Sequence, residues 1–580
     1  MNAPIQPVDP SPAPPSQTSP RRGPWHERRG GLHVLKLVGT PREMGRQHGR
    51  MLRDEVRRGP IPYYRTYLET LMGRSGIGAL SPLLWPLLQK TIGRRVAEGF
   101  PEYALESVRG LAEGAEMPLD ALMEGCSLPD ALMWVAARLM GVRRIGPAVA
   151  HRLALGLGCT SAIAWGDATV DGKLLHARNL DYHGVGVWPD TAGVFFHEPD
   201  EGLRYVSVAA AGVLMGGVTA MNEAGLTLTV HQHMFTDQTR LGGMPIGCVG
   251  DQVMREARNL DDAERILRAQ TPIGCWTYLV ADGNTREVLC FEESPNRKAT
   301  VKRDGEGDRF AYANIYLDEA LGATEKALYG SYWRHNLGRH RQAWRRLNEG
   351  NEGGFDAAAM AGILADPGET PECRIATAIS MVMTVASVVF RPEDGRLWVA
   401  DGSTPTSQRD FLCFDLRGAQ HLPDETVVPA GREDEARAEA YAAYRRAYLA
   451  YVDDSNVEAA RTEMKAACEG APEQPLFHAL RGLIALQAGD ADAAFGAMSR
   501  ALELGHPHPE RVASFHLWRA RAADRLGRRD DARRDYRQAL GRPADAPVHR
   551  AATRGLRQPF LRRDAERFQI DLTFADVVNP

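Results

Sequence analysis

The spacing of apolar and polar positions changes character twice along the chain. After the strand-like "GLHVLKLVG", residues 32 to about 150 place apolar side chains at three- and four-residue steps, as on one face of a helix. "TPREMGRQHGRMLRDEV" opens this stretch, with Thr40 positioned to cap and Pro41 in the first turn. Near residue 158 the texture turns strand-like. "CTSAIAWGDATVDGKLLHARNLDY" reads as two strands joined by a Gly/Asp-rich turn, and the device returns in "YVSVAAAGVLMGGVTAMNEAGLTLTVHQH", "WTYLVADGNTREVLCFEE" and "MTVASVVFRPEDGRLWVADG". Helical stretches, "CVGDQVMREARNLDDAERILRAQ" and "ALYGSYWRHNLGRHRQAWRRLNEG", separate the hairpins. The pattern predicts an α+β layered fold built on antiparallel sheets.

Beyond "VVPAGREDEARAEA" the chain turns helical and Ala-rich, and a repeat emerges. Ala460 and Ala467 recur 34 residues on as Ala494 and Ala501, then after 38 as Ala532 and Ala539, while Gly482 and Ala520 hold an equivalent earlier position. Small residues at such steps let paired helices approach closely, which predicts a tetratricopeptide (TPR)-like helical region with a face for a protein partner.

Composition narrows the classes of function. The chain has 580 residues, 44% hydrophobic and 25% charged, enough for two or three domains with a buried core. A formal net charge of -4 gives no reason to expect nucleic acid as a partner. Eight cysteines without a C-x-x-C pair suit neither a disulfide scaffold nor a zinc ribbon, and fit a reducing compartment. The Pro/Ser-rich N-terminus lacks the apolar stretch of a secretory signal and no long apolar run appears elsewhere, so the expected location is the cytoplasm, with no membrane span.

Among the cysteines, Cys159 in "GLGCTSAIAW" stands out by its downstream neighbours. A hairpin starting there brings Arg178 and Asp181 of "ARNLDY" back beside the thiol, and a guanidinium favours the thiolate over the ordinary thiol, whose pKa is about 8.5. Were the Gly158–Cys159 bond broken, the new α-amine of Cys159, with a pKa of about 7.7 to 8.0, would serve as base for its own thiol. A core thiol remains the bland alternative. Asn222 in "MNEAG" is a candidate oxyanion donor, against a hairpin-turn asparagine satisfying its own backbone. His231 and His233 of "HQH" share one strand face, but two ligands do not make a metal site. "GVLMGGV" and "LGGMPIG" lack the Lys-Ser/Thr of a phosphate loop, and the basic helix "YWRHNLGRHRQAWRRL" reads as a solvated face. No cofactor is called for.

"GTPREMGRQHG", "GLAEGAEMPLDAL", "GCTSAIAWG", "LLHARNLDY", "MNEAGLTLT" and "TVASVVFRPEDGRLWVADG", in that order over residues 32 to 418, resemble the acyl-coenzyme A:6-aminopenicillanic-acid acyltransferase family of autoproteolytic N-terminal-nucleophile (Ntn) hydrolases, relatives of choloylglycine hydrolases. The resemblance implies an αββα sandwich, self-cleavage before Cys159, and attack on an acyl amide or acyl thioester. It implies Cys159 as nucleophile, Arg178 and Asp181 as the groups that set the charge and orientation of its amine and thiol, and Asn222 as an oxyanion donor. Asn314 in "YANIYL" resembles a second asparagine beside the nucleophile, and Arg334 in "SYWRHNLGR" the late arginine, with Arg339 competing for that part. The expected organisation is a disordered leader over 1–31, a propeptide-like helical segment over 32–158, the Ntn-hydrolase domain over 159–428 and the TPR-like region over 429–580. Two other readings stay open: a catalytically inert Ntn fold serving as an interaction protein, and a papain-like hydrolase using His183 or His231 as base.

Overall fold

The computed structural model describes residues 23–74, 86–140, 158–214, 216–233, 236–326, 330–349, 353–368, 370, 374–375, 377–433, 435–565, 567–578 and 580. The first 22 residues of the expected leader, and the chain just before Gly158, lie outside them. Residues 23–31 of the expected leader are described and contain a strand. Trp25–Arg29 forms strand β1, paired antiparallel with β2 (Leu32–Gly39).

Two sheets stack face to face. Among the described residues, one runs β1-β2-β5-β6-β7-β8-β9-β10-β11 and the other β12-β3-β4-β13-β14-β15-β16. The first contains β5 (Ala192–Pro199), β6 (Tyr205–Ala210), β7 (Thr219–Asn222), β8 (Leu226–Gln232), β9 (Trp276–Asp282), β10 (Glu287–Ser294) and β11 (Arg297–Asp304). The second contains β3 (Gly158–Ala164), β4 (Leu175–Asp181), β12 (Arg309–Tyr312), β13 (Thr384–Arg391), β14 (Arg396–Ala400), β15 (Phe411–Asp415) and β16 (Gln420–Val427). The expected hairpins β3/β4, β7/β8, β9/β10 and β13/β14 all form. Val34, Val194, Phe196 and Val208 of one sheet meet Val388, Phe390, Leu397 and Phe414 of the other in a buried layer.

Helices cover both outer faces. On the first sheet lie α1 (Pro41–Met51), α2 (Pro60–Arg74), α3 (Glu102–Ala115), α4 (Leu119–Met140), α5 (Ile246–Glu256) and α6 (Leu260–Ala269); on the second lie α7 (Gly330–Asn348) and α8 (Ala357–Leu364). The layer order is therefore helix, sheet, sheet, helix. The N-terminal segment is not separate from it, because β2 pairs in parallel with β5 inside the first sheet. Thr40 caps α1 with Pro41 in its first turn, as the local sequence predicts, and the structure adds a capping box with Glu43. The glycines of "GTPREMGRQHG" and "GLAEGAEMPLDAL" mark one helix crossing: a Cβ on Gly45 would lie 2.1 Å from Ser107 O, and one on Gly110 would lie 2.0 Å from Arg42 O.

The C-terminal region is helical: α9 (Glu435–Val452), α10 (Val457–Gly470), α11 (Pro475–Gln487), α12 (Ala491–Leu504), α13 (Pro509–Arg525), α14 (Arg529–Leu540) and α15 (Ala546–Arg557) pack on their neighbours in chain order. Ala460, Ala494, Ala501, Ala532 and Ala539 are all buried at these crossings. Past α15 the chain returns as a hook, β17 (Ile570–Asp571) and β18 (Asp576–Val577), held by Arg511 donating to the carbonyls of Phe574 and Ala575 at 2.7 and 2.9 Å. Among the described residues no helix is long and apolar enough to cross a membrane.

Candidate active site

Strand alternation explains the arrangement around Cys159. In the β3/β4 ladder Gly158 pairs with Asp181, Cys159 with Leu180 and Ser161 with Arg178. Cys159 and Arg178 therefore share the inner face, whereas Thr160 and Asp181 share the face toward α7. Arg178 Nη2 donates to Cys159 Sγ at 3.3 Å and to Val230 O at 2.9 Å, and its Nη1 bonds Thr219 Oγ1. On the other face Arg339 of α7 donates to Cys159 O at 2.7 Å, Thr160 Oγ1 at 2.8 Å and Asn314 Oδ1 at 3.0 Å, and stands 3.8 Å from Asp181 Oδ2. Asn314 Oδ1 also accepts the backbone N–H of Cys159 at 2.6 Å.

Asp181 Oδ1 accepts from Thr384 Oγ1 at 2.5 Å, while its Oδ2 is buried without a hydrogen bond. That oxygen sits against Gly158: a Cβ there would come within 2.9 Å of it and 3.1 Å of Arg339 Nη2. Any Cβ at this position would crowd the carboxylate. Burial is the dominant influence on these groups. It raises the Cys159 thiol above its ordinary value despite the Arg178 guanidinium beside it. It raises the Asp181 carboxyl, with Arg339 and Thr384 opposing, and lowers Arg339, with Asp181 opposing.

Cys159 opens onto a cavity of about 170 Å³ whose walls are mostly apolar. Ile61, Tyr64 and Pro129 come from helices before Gly158, and Trp188, Ile246 and Trp276 from the chain after it. The pocket thus lies between the part of the chain before Gly158 and the part after it.

Three sequence expectations are corrected here. Asn222 is not at the cavity: its amide donates to the carbonyls of Met254 and Ala257, and its Oδ1 accepts the N–H groups of Ala224 and Leu226, so it anchors the β7/β8 turn with no donor left for an oxyanion. Arg334 faces the C-terminal region, donating to Asp545 at 2.8 and 2.9 Å, and Arg339, five residues along α7, takes the place expected for it. Among the described residues, neither His183 nor His231 bonds Cys159. His231 Nε2 bonds Ser161 Oγ at 3.0 Å, and His183 is stacked on Tyr67 with both ring nitrogens unbonded; burial drives His231 well below its ordinary value and His183 down to about 3. His233 is likewise occupied, between Thr277 and Glu325. Thr384, Thr160 and Asn336, which donates to Asn314 O at 3.1 Å, complete the site without a local sequence signal.

A buried cysteine at the start of an inner strand, gripped by arginines from both faces of a four-layer sandwich, defines a candidate nucleophile site. Residues 168–405 match the family model described as acyl-coenzyme A:6-aminopenicillanic acid acyl-transferase. The match takes in Arg178, Asp181, Asn314 and Arg339 and begins nine residues after Cys159. An uncharacterized protein of Archaeoglobus fulgidus is 28% identical over 267 residues, 44% of this chain and 42% of its own length. The chain thus spans about two fifths of the length of that curated relative. A solved Caenorhabditis elegans N-acylethanolamine-hydrolyzing acid amidase (NAAA) ortholog is 16% identical, with 40% of this chain and 93% of that one covered at a TM-score of 0.29.

Proposed function

We propose that the protein is a self-processing cysteine Ntn hydrolase or acyltransferase acting on an acyl amide or thioester. The observation that carries the reading is Cys159 itself: Sγ held by Arg178 at 3.3 Å, backbone N–H held by Asn314 at 2.6 Å, and a preceding glycine whose missing side chain leaves the Asp181 carboxylate uncrowded. In the first step Sγ adds to the Gly158 carbonyl, the Gly158–Cys159 C–N bond breaks, and the thiol proton passes to the departing amine. Water then hydrolyses the thioester, leaving a Gly158 carboxylate and a free Cys159 thiol. The new α-amine forms beside Asn314 Oδ1 and the unbonded Asp181 Oδ2, which hold it in place.

In turnover that amine supplies what the intact site lacks, a base within reach of the thiol. It takes the Sγ proton, Sγ attacks the substrate carbonyl, and the leaving group departs with the proton. Water or an amine resolves the acyl-enzyme. Arg178 stabilises negative charge on sulfur in a buried site where such a contact counts for more than in water. The apolar cavity suits an apolar acyl group.

Intact-mass analysis and N-terminal sequencing of the purified chain test the reading. The expected result is a fragment beginning at Cys159, absent in Cys159→Ala; full-length chain in both would overturn it. The inert alternative is tested by alkylation, since a Cys159 that labels no faster than the other buried cysteines would favour a protein that works only through its helical region. We read that region as TPR-like, with a face for a protein partner.

A further inference from the structure

The C-terminal region holds a second cavity, of about 340 Å³, formed where α13, α14 and α15 meet the chain returning from α15. Its floor is Arg521, a side chain 94% buried, since only 6% of the residue is exposed. The guanidinium lies over the Trp518 ring at 4.3 Å and the Phe560 ring at 4.8 Å. Ring faces satisfy the flat sides of a guanidinium, but its five N–H donors point outward in its own plane. Among the described residues none of those donors meets an acceptor. Asp524, the acidic group on its own helix, is already taken by Arg529 at 2.7 Å and by Tyr536 Oη at 2.7 Å.

Burying a cation without a partner is costly. The cost is ordinarily met by a carboxylate, and here the pocket is basic instead. Arg554 and Arg567 line its rim with exposed side chains, and Asp564 and Pro580 complete the wall. Gln558 adds an uncharged amide. We propose that this pocket binds a dianionic phosphate group, free or carried by a small organic molecule, with Arg521 as the buried anchor and Arg554 and Arg567 closing on it from the rim. Planar forks are suited to bidentate grip on phosphate oxygens. This site is independent of Cys159.

The test is ligand-dependent melting and calorimetry of the full chain with inorganic phosphate, phenyl phosphate and, as a comparison, succinate. Saturable binding of both phosphates that weakens with added salt is expected. Phenyl phosphate binding the tighter of the two would assign the site to a phosphorylated molecule, with Phe560 and Phe568 receiving its body; equal binding would assign it to the free anion. Arg554→Gln and Arg567→Gln, on exposed side chains that leave the fold intact, should each weaken phosphate by about tenfold, with Arg550→Gln on the neighbouring surface as a near-neutral control. Arg521→Gln should abolish binding, and if it does not fold, Arg521→Lys should keep part of it. Absence of saturable phosphate binding at low salt, equal weakening by Arg550→Gln, or preference for succinate would each overturn the proposal.

Discussion

Around Cys159, Arg178 and Gly158 carry separable jobs. Arg178 touches sulfur, so its removal acts on chemistry: Arg178→Ala should slow both self-cleavage and thiol alkylation by on the order of 10²- to 10³-fold, with far-ultraviolet circular dichroism unchanged. Gly158→Ala acts by volume, since its Cβ meets the Asp181 carboxylate at 2.9 Å. Time-resolved gels should show cleavage slowed in Gly158→Ala while Cys159 still reacts with a small alkylating agent. Arg178 and Asp181 were legible in the sequence because a short hairpin ties them to Cys159. Arg339 was not separable from Arg334, since both are arginines on one basic helix; only the rotation of α7 against the second sheet decides which faces inward.

Between elements, two contacts matter. Asp130 of α4 is buried, accepts the Ile246 N–H at the start of α5 at 3.1 Å, and has its other oxygen unbonded; burial raises its carboxyl to about 7. A folded-state value above the unfolded one means the folded protein keeps a proton that the unfolded chain releases. Stability should therefore fall as pH rises from about 4 to 7 and level off above, by a few kcal/mol from this group alone. Urea titrations of Asp130→Asn, which keeps the acceptor without the charge, should lose that slope. The second contact is the C-terminal hook. Phe574 rests on His335 with ring centroids 4.7 Å apart, and His335 Nδ1 accepts from Arg339 Nε at 3.2 Å. Phe574→Ala should cost about 3 to 5 kcal/mol in denaturant melts and slow self-cleavage through a loosened Arg339.

Over the whole molecule, the segment before Gly158 is built into the sandwich rather than laid upon it. β2 lies between β1 and β5 in the first sheet, and Leu35, Leu37, Val108 and Leu111 are buried with Phe195. Processed protein should thus elute as one species in size-exclusion chromatography while separating into two fragments on a denaturing gel. Release of the N-terminal fragment under native conditions would contradict this, and would open the cavity that Ile61, Tyr64 and Pro129 help to wall.

What the sequence determined by itself was whatever depends on near neighbours: helix starts such as Thr40–Pro41, the hairpins and their turns, the buried small residues of the C-terminal helices, and the return of Arg178 to the side of Cys159. Turn chemistry, side-chain period and capping act over a few residues, so they are written in order along the chain. The tertiary structure decided what depends on distant partners. Asn222 became a turn anchor because the carbonyls of Met254 and Ala257 reach it, and Arg339 became the arginine at Cys159 because α7 packs with that face on β3. The cavity at Cys159 needed both halves of the chain, and the unpartnered Arg521 needed the chain to return past α15, placements that no local pattern encodes.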